Sequence, residues 1–210
     1  MFLKAFPSGP LDTNAYIVAC PQTRQAAIVD PAPDSYERLI AFIQEGNLAP
    51  VAILLTHSHW DHIADVKAIK IKYSIPVSIH PLDAPNLKNP GADGLPCWLD
   101  IPGVVADRLI KEGDVIAIGN LTFKVIETPG HTPGGVCFYC SDEGILLSGD
   151  TLFKGTIGNV SFPTSRPDLM WESLRKLSLL PKGTRVYPGH GSSTTIGDEN
   201  WLSRAEEVFG

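Results

Sequence analysis

Three of the chain's six histidines and one aspartate lie within a six-residue stretch, HSHWDH at 57–62. Imidazole and carboxylate groups are ligands of divalent metal ions, and a strand or helix surface seldom needs so many together. His57 and His59 are two residues apart, so on an extended chain both rings point to the same side. Asp61 and His62 follow where the chain is expected to turn into a helix, so they can point elsewhere. The stretch therefore predicts a site that can offer one pair of ligands to each of two metal ions.

Three further residues of ligand type lie in stretches that contain glycine: His131 in TPGHTPGG, Asp150 in SGDTLF and His190 in YPGHGSS. Glycine lets the backbone turn sharply and bring a side chain close to its neighbours. A single histidine is more often a buried structural residue than a ligand, and Asp150 is also compatible with a helix N-cap. The cluster at 57–62 makes metal binding the stronger interpretation. His80, in SIHPLD, lacks such a context and is interpreted as structural.

The candidate ligands share a position relative to the predicted strands. A short apolar run precedes each group: VAILL before His57, LTFKVIE before His131, GILLS before Asp150 and RVYP before His190. Such runs are typical of buried strands. In open α/β sheets, sites form in the crevice outside the C-terminal ends of the strands. Four strand ends that each carry a ligand-type residue therefore predict one convergent site.

Amphipathic helices are predicted to alternate with these strands. One helix is expected to begin at Asp34, with Asp34 and Glu37 as a capping box, and to end at Gly46. A final helix is expected from about Asp198. The proline-rich segment 81–103 predicts a long irregular connection between two halves of the chain.

Length and composition limit the kind of protein. A chain of 210 residues can bury one sizeable core, and a single domain, 1–210, is predicted. A net charge of −6 disfavours a nucleic-acid backbone or an anionic membrane as the main partner. We find no signal peptide, and no apolar run approaches the roughly 20 residues that span a bilayer, so a cytoplasmic location is expected.

The four cysteines are too few for a disulfide framework in a chain of this length. Cys137 and Cys140 form a C-x-x-C within the predicted strand GVCFYC. We interpret them as small buried apolar side chains, although a redox pair or half of a zinc site are alternatives. The sequence leaves their role and the oligomeric state open.

The ligand inventory suits two metal ions. It comprises seven residues: His57, His59, Asp61, His62, His131, Asp150 and His190. Three histidines can serve one ion, Asp61, His62 and His190 can serve the other, and Asp150 can bridge. Two divalent ions, two carboxylates and one hydroxide leave about one positive charge. That charge suits a centre that generates hydroxide near neutral pH and stabilises an oxyanion.

The four motifs, H-x-H-x-D-H, TPGHTPGG, LLSGDTLF and VYPGHG, occur in an order and spacing that resemble the metallo-β-lactamase superfamily. The resemblance covers essentially the whole chain. It implies an α/β fold, an αββα sandwich in which two mixed β-sheets pack face to face with helices on both outer sides. It also implies a binuclear site at one edge, with one metal on His57, His59 and His131, the other on Asp61, His62 and His190, and Asp150 bridging.

Within the superfamily the chain looks most like the short form of the glyoxalase II (hydroxyacylglutathione hydrolase) branch. Four stretches carry this resemblance: TNAYIV, AAIVDPA, GDTLFKGTIG and TTIGDE. The long enzymes have a helical extension that helps hold glutathione, whereas this chain stops at Gly210. They also usually carry Lys or Arg where Asn159 follows Gly158 here. Asparagine can hydrogen-bond a substrate carboxylate but cannot neutralise it. Asn159 and Lys154 are the candidate substrate contacts, and recognition of glutathione stays open.

The predicted activity is hydrolysis of a small-molecule thioester such as S-lactoylglutathione, or of a related ester, by a metal-bound hydroxide. Asp61 is expected to bind metal and to orient the hydroxide. Two divalent ions, zinc in the first place and iron or manganese as alternatives, are the expected cofactors. A thiol, with a reference pKa of about 8.5, can leave as thiolate without a strong general acid.

Three other functions are compatible with these residues. A mononuclear iron persulfide dioxygenase would use His57, His131 and Asp150 as a 2-His-1-carboxylate triad. A lactonase is a further hydrolytic option. A non-catalytic binding module would be free to lose ligands, and all seven are present here.

Overall fold

Two six-stranded mixed sheets form the centre of the protein in the computed structural model, which describes residues 1–210. The first sheet contains, in spatial order, β1 (Phe2–Ser8), β2 (Thr13–Ala19), β3 (Gln25–Val29), β4 (Ala49–Leu54), β5 (Val77–Ile79) and β6 (Arg108–Leu109). Strands β1 to β3 are antiparallel, and β3 to β6 run parallel.

The second sheet is antiparallel apart from one pair of strands. In chain order its strands are β7 (Val115–Ile118), β8 (Leu121–Glu127), β9 (Val136–Cys140), β10 (Ile145–Gly149), β13 (Arg185–Pro188) and β14 (Thr194–Thr195). Their spatial order is β14-β13-β10-β9-β8-β7, and only β10 and β13 are parallel. Between them, β11 (Leu152–Phe153) and β12 (Thr156–Ile157) form a separate hairpin.

The helices are α1 (Tyr36–Glu45), α2 (Trp60–Ile63), α3 (Val66–Tyr73), α4 (Ala84–Lys88), α5 (Pro167–Ser178) and α6 (Ala205–Phe209), with a 3₁₀ turn at Leu202–Arg204. No helix is both long and apolar enough to cross a bilayer.

Three hydrophobic layers hold the sheets and helices together. Successive side chains of a strand point to opposite faces, so β2 contributes to two layers. Ile17 packs between the first sheet and α1 and α3, whereas Val18 packs between the two sheets, where it joins Phe123 and Phe138. On the far side, Leu174 of α5 covers the second sheet. This arrangement confirms the predicted αββα sandwich.

The predicted start of α1 is wrong. Asp34 lies before the helix, with a φ of 61°. The N-cap residue is Ser35, and its side chain makes no capping hydrogen bond. Instead Oδ2 of Asp65 accepts hydrogen bonds from the backbone N–H groups of Ser35 at 2.9 Å and Tyr36 at 2.8 Å. The free N–H groups are thus satisfied by a carboxylate from a distant segment, which no local pattern could show. The predicted end is confirmed, because Gly46 is the C-cap.

Two other predictions about elements need correction. The last helical segment begins at Leu202 rather than near Asp198, because Glu199 accepts hydrogen bonds from Gly155 and Trp201 and holds that region in a turn. The connection 81–103 is not wholly irregular, since it contains α4.

Cys137 and Cys140 are both buried and free. Cys137 packs toward α5, whereas Cys140 packs between the two sheets, so the two thiols lie on opposite faces of β9. They cannot form a disulfide or bind a common ion in this arrangement. Burial raises the pKa of Cys137 to about 11, as expected for an inert thiol.

Candidate metal centre

All seven predicted ligands lie together at the edge where β4, β8, β10 and β13 end. The segment after β4 stays extended through His59, which has φ −59° and ψ 146°, and α2 begins at Trp60. The change from extended chain to helix separates His57 and His59 from Asp61 and His62. The other three residues arrive from the second sheet.

His57, His59 and His131 form a first group of candidate ligands, called the first ligand group below. Each offers a ring nitrogen, and these atoms lie within 4.8 Å of one another. All three side chains are buried, and their Nε2 atoms have no hydrogen-bond partner. Buried polar atoms without partners are rare because each one carries a desolvation cost. A divalent cation fits this donor set and would satisfy it.

Asp61, His62 and His190 form the second ligand group, also within 4.8 Å of one another. Oδ2 of Asp61 lies 3.2 Å from Nε2 of His190 and 3.3 Å from Nε2 of His62. The two histidine Nε2 atoms are 3.4 Å apart. Two nitrogens and a carboxylate oxygen therefore face one point.

Asp150 contacts both groups. Its Oδ2 lies 3.4 Å from Nε2 of His131 and 3.4 Å from Nε2 of His190, and its Oδ1 lies 3.4 Å from Nε2 of His62. A carboxylate in this position can bridge two ions. Room for it depends on Gly189, since a Cβ atom there would lie 2.0 Å from Oδ1 of Asp150 and 2.7 Å from Cε1 of His62.

Asp30 and Thr56 orient two of the histidines, and the sequence analysis missed both. Nδ1 of His62 donates to Oδ2 of Asp30 at 3.0 Å. Asp30 also accepts from the backbone N–H of Thr56 at 2.8 Å and from its hydroxyl at 2.6 Å. That hydroxyl oxygen lies 3.0 Å from Nδ1 of His57 and can accept a hydrogen bond from it. Asp30 follows the strand run AAIV, so the strand-end pattern was a signal that could have revealed it.

Asp30, His57 and His62 also form a geometric group of possible ligands. We assign Asp30 to positioning instead, because Thr56 and His62 already occupy its oxygens. A ligating histidine commonly donates its second ring N–H to such an acceptor, which sets the tautomer.

Main-chain oxygens and one hydroxyl position three more of the candidate ligands, His131, His190 and Asp61. Nδ1 of His131 donates to the carbonyl of Asn159 at 2.7 Å, and Nδ1 of His190 donates to the carbonyl of Leu11 at 3.0 Å. The hydroxyl of Thr13 donates to Oδ2 of Asp61 at 2.6 Å. These two rings and this carboxylate are therefore held in place before any metal ion binds.

The two groups differ in protonation in the metal-free protein. Burial lowers the pKa of His59 to about 3 and places the pKa of His57 and His131 below the ordinary value, so these rings are neutral donors. Burial also acts to lower the pKa of His62, but the carboxylates of Asp61 and Asp150 outweigh it and raise the value to about 9.

The same two carboxylates raise the pKa of His190 to about 10 against the effect of burial. In turn, these protonated histidines hold the pKa of Asp61 and Asp150 below the ordinary range, although burial alone would raise it. A metal ion that binds the second group must therefore displace protons from it.

The candidate substrate contacts lie at the surface. Asn159 is exposed, and its Oδ1 accepts from the backbone N–H of Ser161 at 2.7 Å. Lys154 is exposed and forms no ion pair. His80 lies outside the ligand groups, where its Nε2 is 3.0 Å from Oε1 of Glu127.

Aromatic side chains that the sequence analysis did not select flank the ligands. The Phe162 ring centroid is 5.4 Å from that of His59 and 5.6 Å from that of His131. The Phe153 ring is 5.9 Å from that of His190. One apolar ring therefore lies beside each ligand group.

The chain matches the metallo-beta-lactamase superfamily over residues 8–190, a range that contains all seven predicted ligands. It belongs to this superfamily. This superfamily member is 34% identical to a probable metallo-hydrolase of Bacillus subtilis, YqgX, over 92% of each chain. It is 35% identical to the hydroxyacylglutathione hydrolase of a Chelativorans species, over 80% of this chain and 58% of that enzyme.

Solved structures agree with this assignment. BLEG-1, a B3 metallo-beta-lactamase, superposes with a TM-score of 0.89 and 37% identity over 100% of both chains. TTHA1623, solved in a di-iron-bound form, superposes with a TM-score of 0.81 and 39% identity, over 93% of this chain and 96% of that protein. ETHE1 from Myxococcus xanthus superposes with a TM-score of 0.79 and 26% identity, over 97% of this chain and 83% of that protein. The family resemblance and the fold are thereby confirmed.

Proposed function

We propose that the protein is a metallo-hydrolase that holds two divalent ions, zinc in the first place, and hydrolyses thioesters of the hydroxyacylglutathione type or related esters. The observation that carries this proposal is the position of Asp150, which contacts His131 of one ligand group and His62 and His190 of the other at 3.4 Å. A site for one ion would need only one of these groups.

Ions bound in such a site lower the pKa of a bound water and polarise a carbonyl oxygen. The chain's own residues supply the positioning. Thr13 donates to Oδ2 of Asp61, the oxygen that faces His62 and His190, and so holds this carboxylate in place. Phe162 places an apolar ring beside His59 and His131. Asp30, Asn159 and Leu11 fix the rings of His62, His131 and His190, so these three need little reorganisation during reaction.

A thioester suits a site built in this way, because a thiol leaves as thiolate without a strong general acid. The similarity to a hydroxyacylglutathione hydrolase supports the same class. The similarity to a B3 metallo-beta-lactamase makes a β-lactam a second substrate class to test. A persulfide dioxygenase with one iron on His57, His131 and Asp150 would leave the ligand group of Asp61, His62 and His190 without a role.

The test combines metal analysis with a substrate panel. We expect two ions per chain, turnover of S-lactoylglutathione or another thioester, loss of turnover after chelation and recovery with Zn²⁺. Asp61→Ala should reduce turnover to background. Asp107→Ala is the matched control, since Asp107 pairs with Lys70 away from the site. The panel should include a lactone, a β-lactam and a persulfide with oxygen uptake.

Two outcomes would overturn the proposal. A single ferrous ion with oxygen uptake on the persulfide would identify a dioxygenase. Turnover of every ester, thioester and β-lactam at the level of Asp61→Ala would exclude a hydrolase.

Asn159 and Lys154 are the proposed substrate contacts, and KM can test them. Lys154→Ala should raise KM for a glutathione thioester, and Asn159→Lys should lower it by restoring a positive charge. A thioester whose thiol part carries no carboxylate is the control, because its KM should stay unchanged in both variants. Equal effects on the two substrates would exclude recognition of a carboxylate by these residues.

A further inference from the structure

Residues of the connection 81–103 contact both Ser58 and Trp60, the two spacer residues of HSHWDH that are not candidate ligands. Ser58 lies between His57 and His59, and its backbone N–H donates to Oδ2 of Asp83 at 2.9 Å. Its carbonyl accepts from Nδ2 of Asn86 at 2.7 Å. The other spacer, Trp60, packs against Trp98 with ring centroids 5.4 Å apart. The peptide that joins the two histidines is therefore hydrogen-bonded on both sides by residues at the start of α4.

Asp83 also reaches the loop that carries His131. Its Oδ1 accepts from the backbone N–H of Gly134 at 2.7 Å. The side chain is buried, with 2% of Asp83 exposed. A Cβ atom at position 134 would lie only 2.6 Å from that oxygen, so the close approach requires glycine. One buried carboxylate thus joins two loops that are far apart in sequence.

We propose that Asp83 is the positioning residue for the first ligand group, setting the relative placement of His59 and His131 for one ion. The proposal rests on the two-ion function proposed above. Rotation of the Ser58 peptide would swing the His57 and His59 rings apart, and the two hydrogen bonds from α4 oppose it. Residues that orient ligands in this way typically change metal affinity by about 10–100-fold when removed.

The effect should be selective for one ion. Asp61 and His62 of the second group are held by Thr13 and Asp30, and Asp83 makes no hydrogen bond to that group. A role in folding alone would not show this selectivity, because lower stability would affect both ions. Metal affinity, measured ion by ion, separates the two roles.

The experiment titrates metal-free protein with Zn²⁺ against a chromophoric chelator and compares wild type, Asp83→Asn, Asp83→Ala and Asp107→Asn. Asparagine keeps one acceptor and places an N–H donor against the other backbone N–H, so one hydrogen bond is lost. We expect one ion to bind about 10-fold more weakly in Asp83→Asn and about 100-fold more weakly in Asp83→Ala. Asp107→Asn is the control, because Asp107 likewise accepts a hydrogen bond from a backbone N–H, that of Val77, and lies outside the site.

A second comparison identifies the affected ion. His131→Ala removes a ligand of the first group, so the ion that remains should be the one on Asp61, His62 and His190. Adding Asp83→Asn to His131→Ala should leave the affinity for that ion within twofold. The absorption spectrum of the Co²⁺ form should change in Asp83→Asn and not in Asp107→Asn, because the geometry of one ion is altered. Asp83→Asn carries the test if Asp83→Ala does not fold.

The outcomes separate the two proposals. Equal affinities in Asp83→Asn and Asp107→Asn, or further weakening by Asp83→Asn in the His131→Ala background, would overturn the role of Asp83. A wild-type protein that binds one ion would instead overturn the two-ion function. In that case, an ion whose binding is lost in His131→Ala lies on the first ligand group, where weaker binding in Asp83→Asn than in Asp107→Asn supports the role of Asp83 and equal binding overturns it. An ion that still binds to His131→Ala lies on the second group, and that result also overturns the role of Asp83.

Discussion

Asp30 and His62 are 32 residues apart in the chain, yet Oδ2 of Asp30 accepts a hydrogen bond from Nδ1 of His62 at 3.0 Å. Both side chains are fully or almost fully buried. The bond leaves Nε2 of His62 facing Asp61 and Asp150. The end of β3 therefore decides how a ligand that follows β4 is oriented.

Replacing Asp30 should weaken metal binding. In Asp30→Asn, the amide can still accept from Thr56 but no longer offers a charged acceptor to His62, so the ring is held less firmly. We expect the affinity for the ion of the second ligand group to fall by about 10–100-fold. A chelator competition assay measures it. Asp34→Asn, on an aspartate outside the site, should bind as wild type does, and an unchanged affinity in Asp30→Asn would contradict the assignment.

The metal-free protein should lose stability as the pH rises above neutrality. His62 and His190 have folded-state pKa values raised from 6.5 to about 9 and about 10. Groups of this kind bind protons more tightly in the folded state, so their contribution is complete below about pH 6.5 and is lost through pH 9–10. Urea denaturation at pH 6.5, 7.5 and 8.5 should show a falling free energy of unfolding.

The same measurement has an internal control. His62→Gln removes one of the two titrating groups, so its free energy of unfolding should decline less steeply over that pH range. The zinc-loaded protein should also decline less, because bound metal replaces the protons. A metal-free wild type whose stability rises from pH 6.5 to 8.5 would be inconsistent with the paired carboxylates as the cause.

A methyl group at position 189 should disrupt the centre without requiring a strained backbone. A Cβ atom there would lie 2.0 Å from Oδ1 of Asp150 and 2.7 Å from Cε1 of His62, so both ligands must move. We expect Gly189→Ala to retain less than one ion per chain and no turnover. Metal analysis after gel filtration measures this loss. Gly183→Ala is the control, since a Cβ atom at that position has no neighbour within 4 Å.

Removing a side chain between the sheets should lower the free energy of unfolding and leave the number of bound metal ions per chain unchanged. Phe123 is fully buried in the layer shared by both sheets. Phe123→Ala should lower the free energy of unfolding by about 3–5 kcal/mol through lost burial and a residual cavity. Leu179→Ala, at a position 84% exposed, should change it by less than about 0.5 kcal/mol. Equal losses in both variants would argue against the inter-sheet core described above.

Ligand types and their places at strand ends were accessible from the sequence. HSHWDH combines residue types that are costly to bury together without a metal, and apolar runs mark the strands before His131, Asp150 and His190. These signals are local, because a strand shows itself by a short run and a ligand by its chemistry. The same local signals, together with the family resemblance, were sufficient for the αββα sandwich.

The residues that hold the ligands were decided only by the tertiary structure. Asp30, Thr13 and Asp83 are ordinary polar residues in sequence, and each acts through a hydrogen bond to a segment at least 25 residues away. The cap on α1 follows the same rule, since it comes from Asp65 and not from Asp34. Periodicity and local propensity carry no information about such pairs, because packing of the two sheets and their helices is what brings the partners within hydrogen-bonding distance.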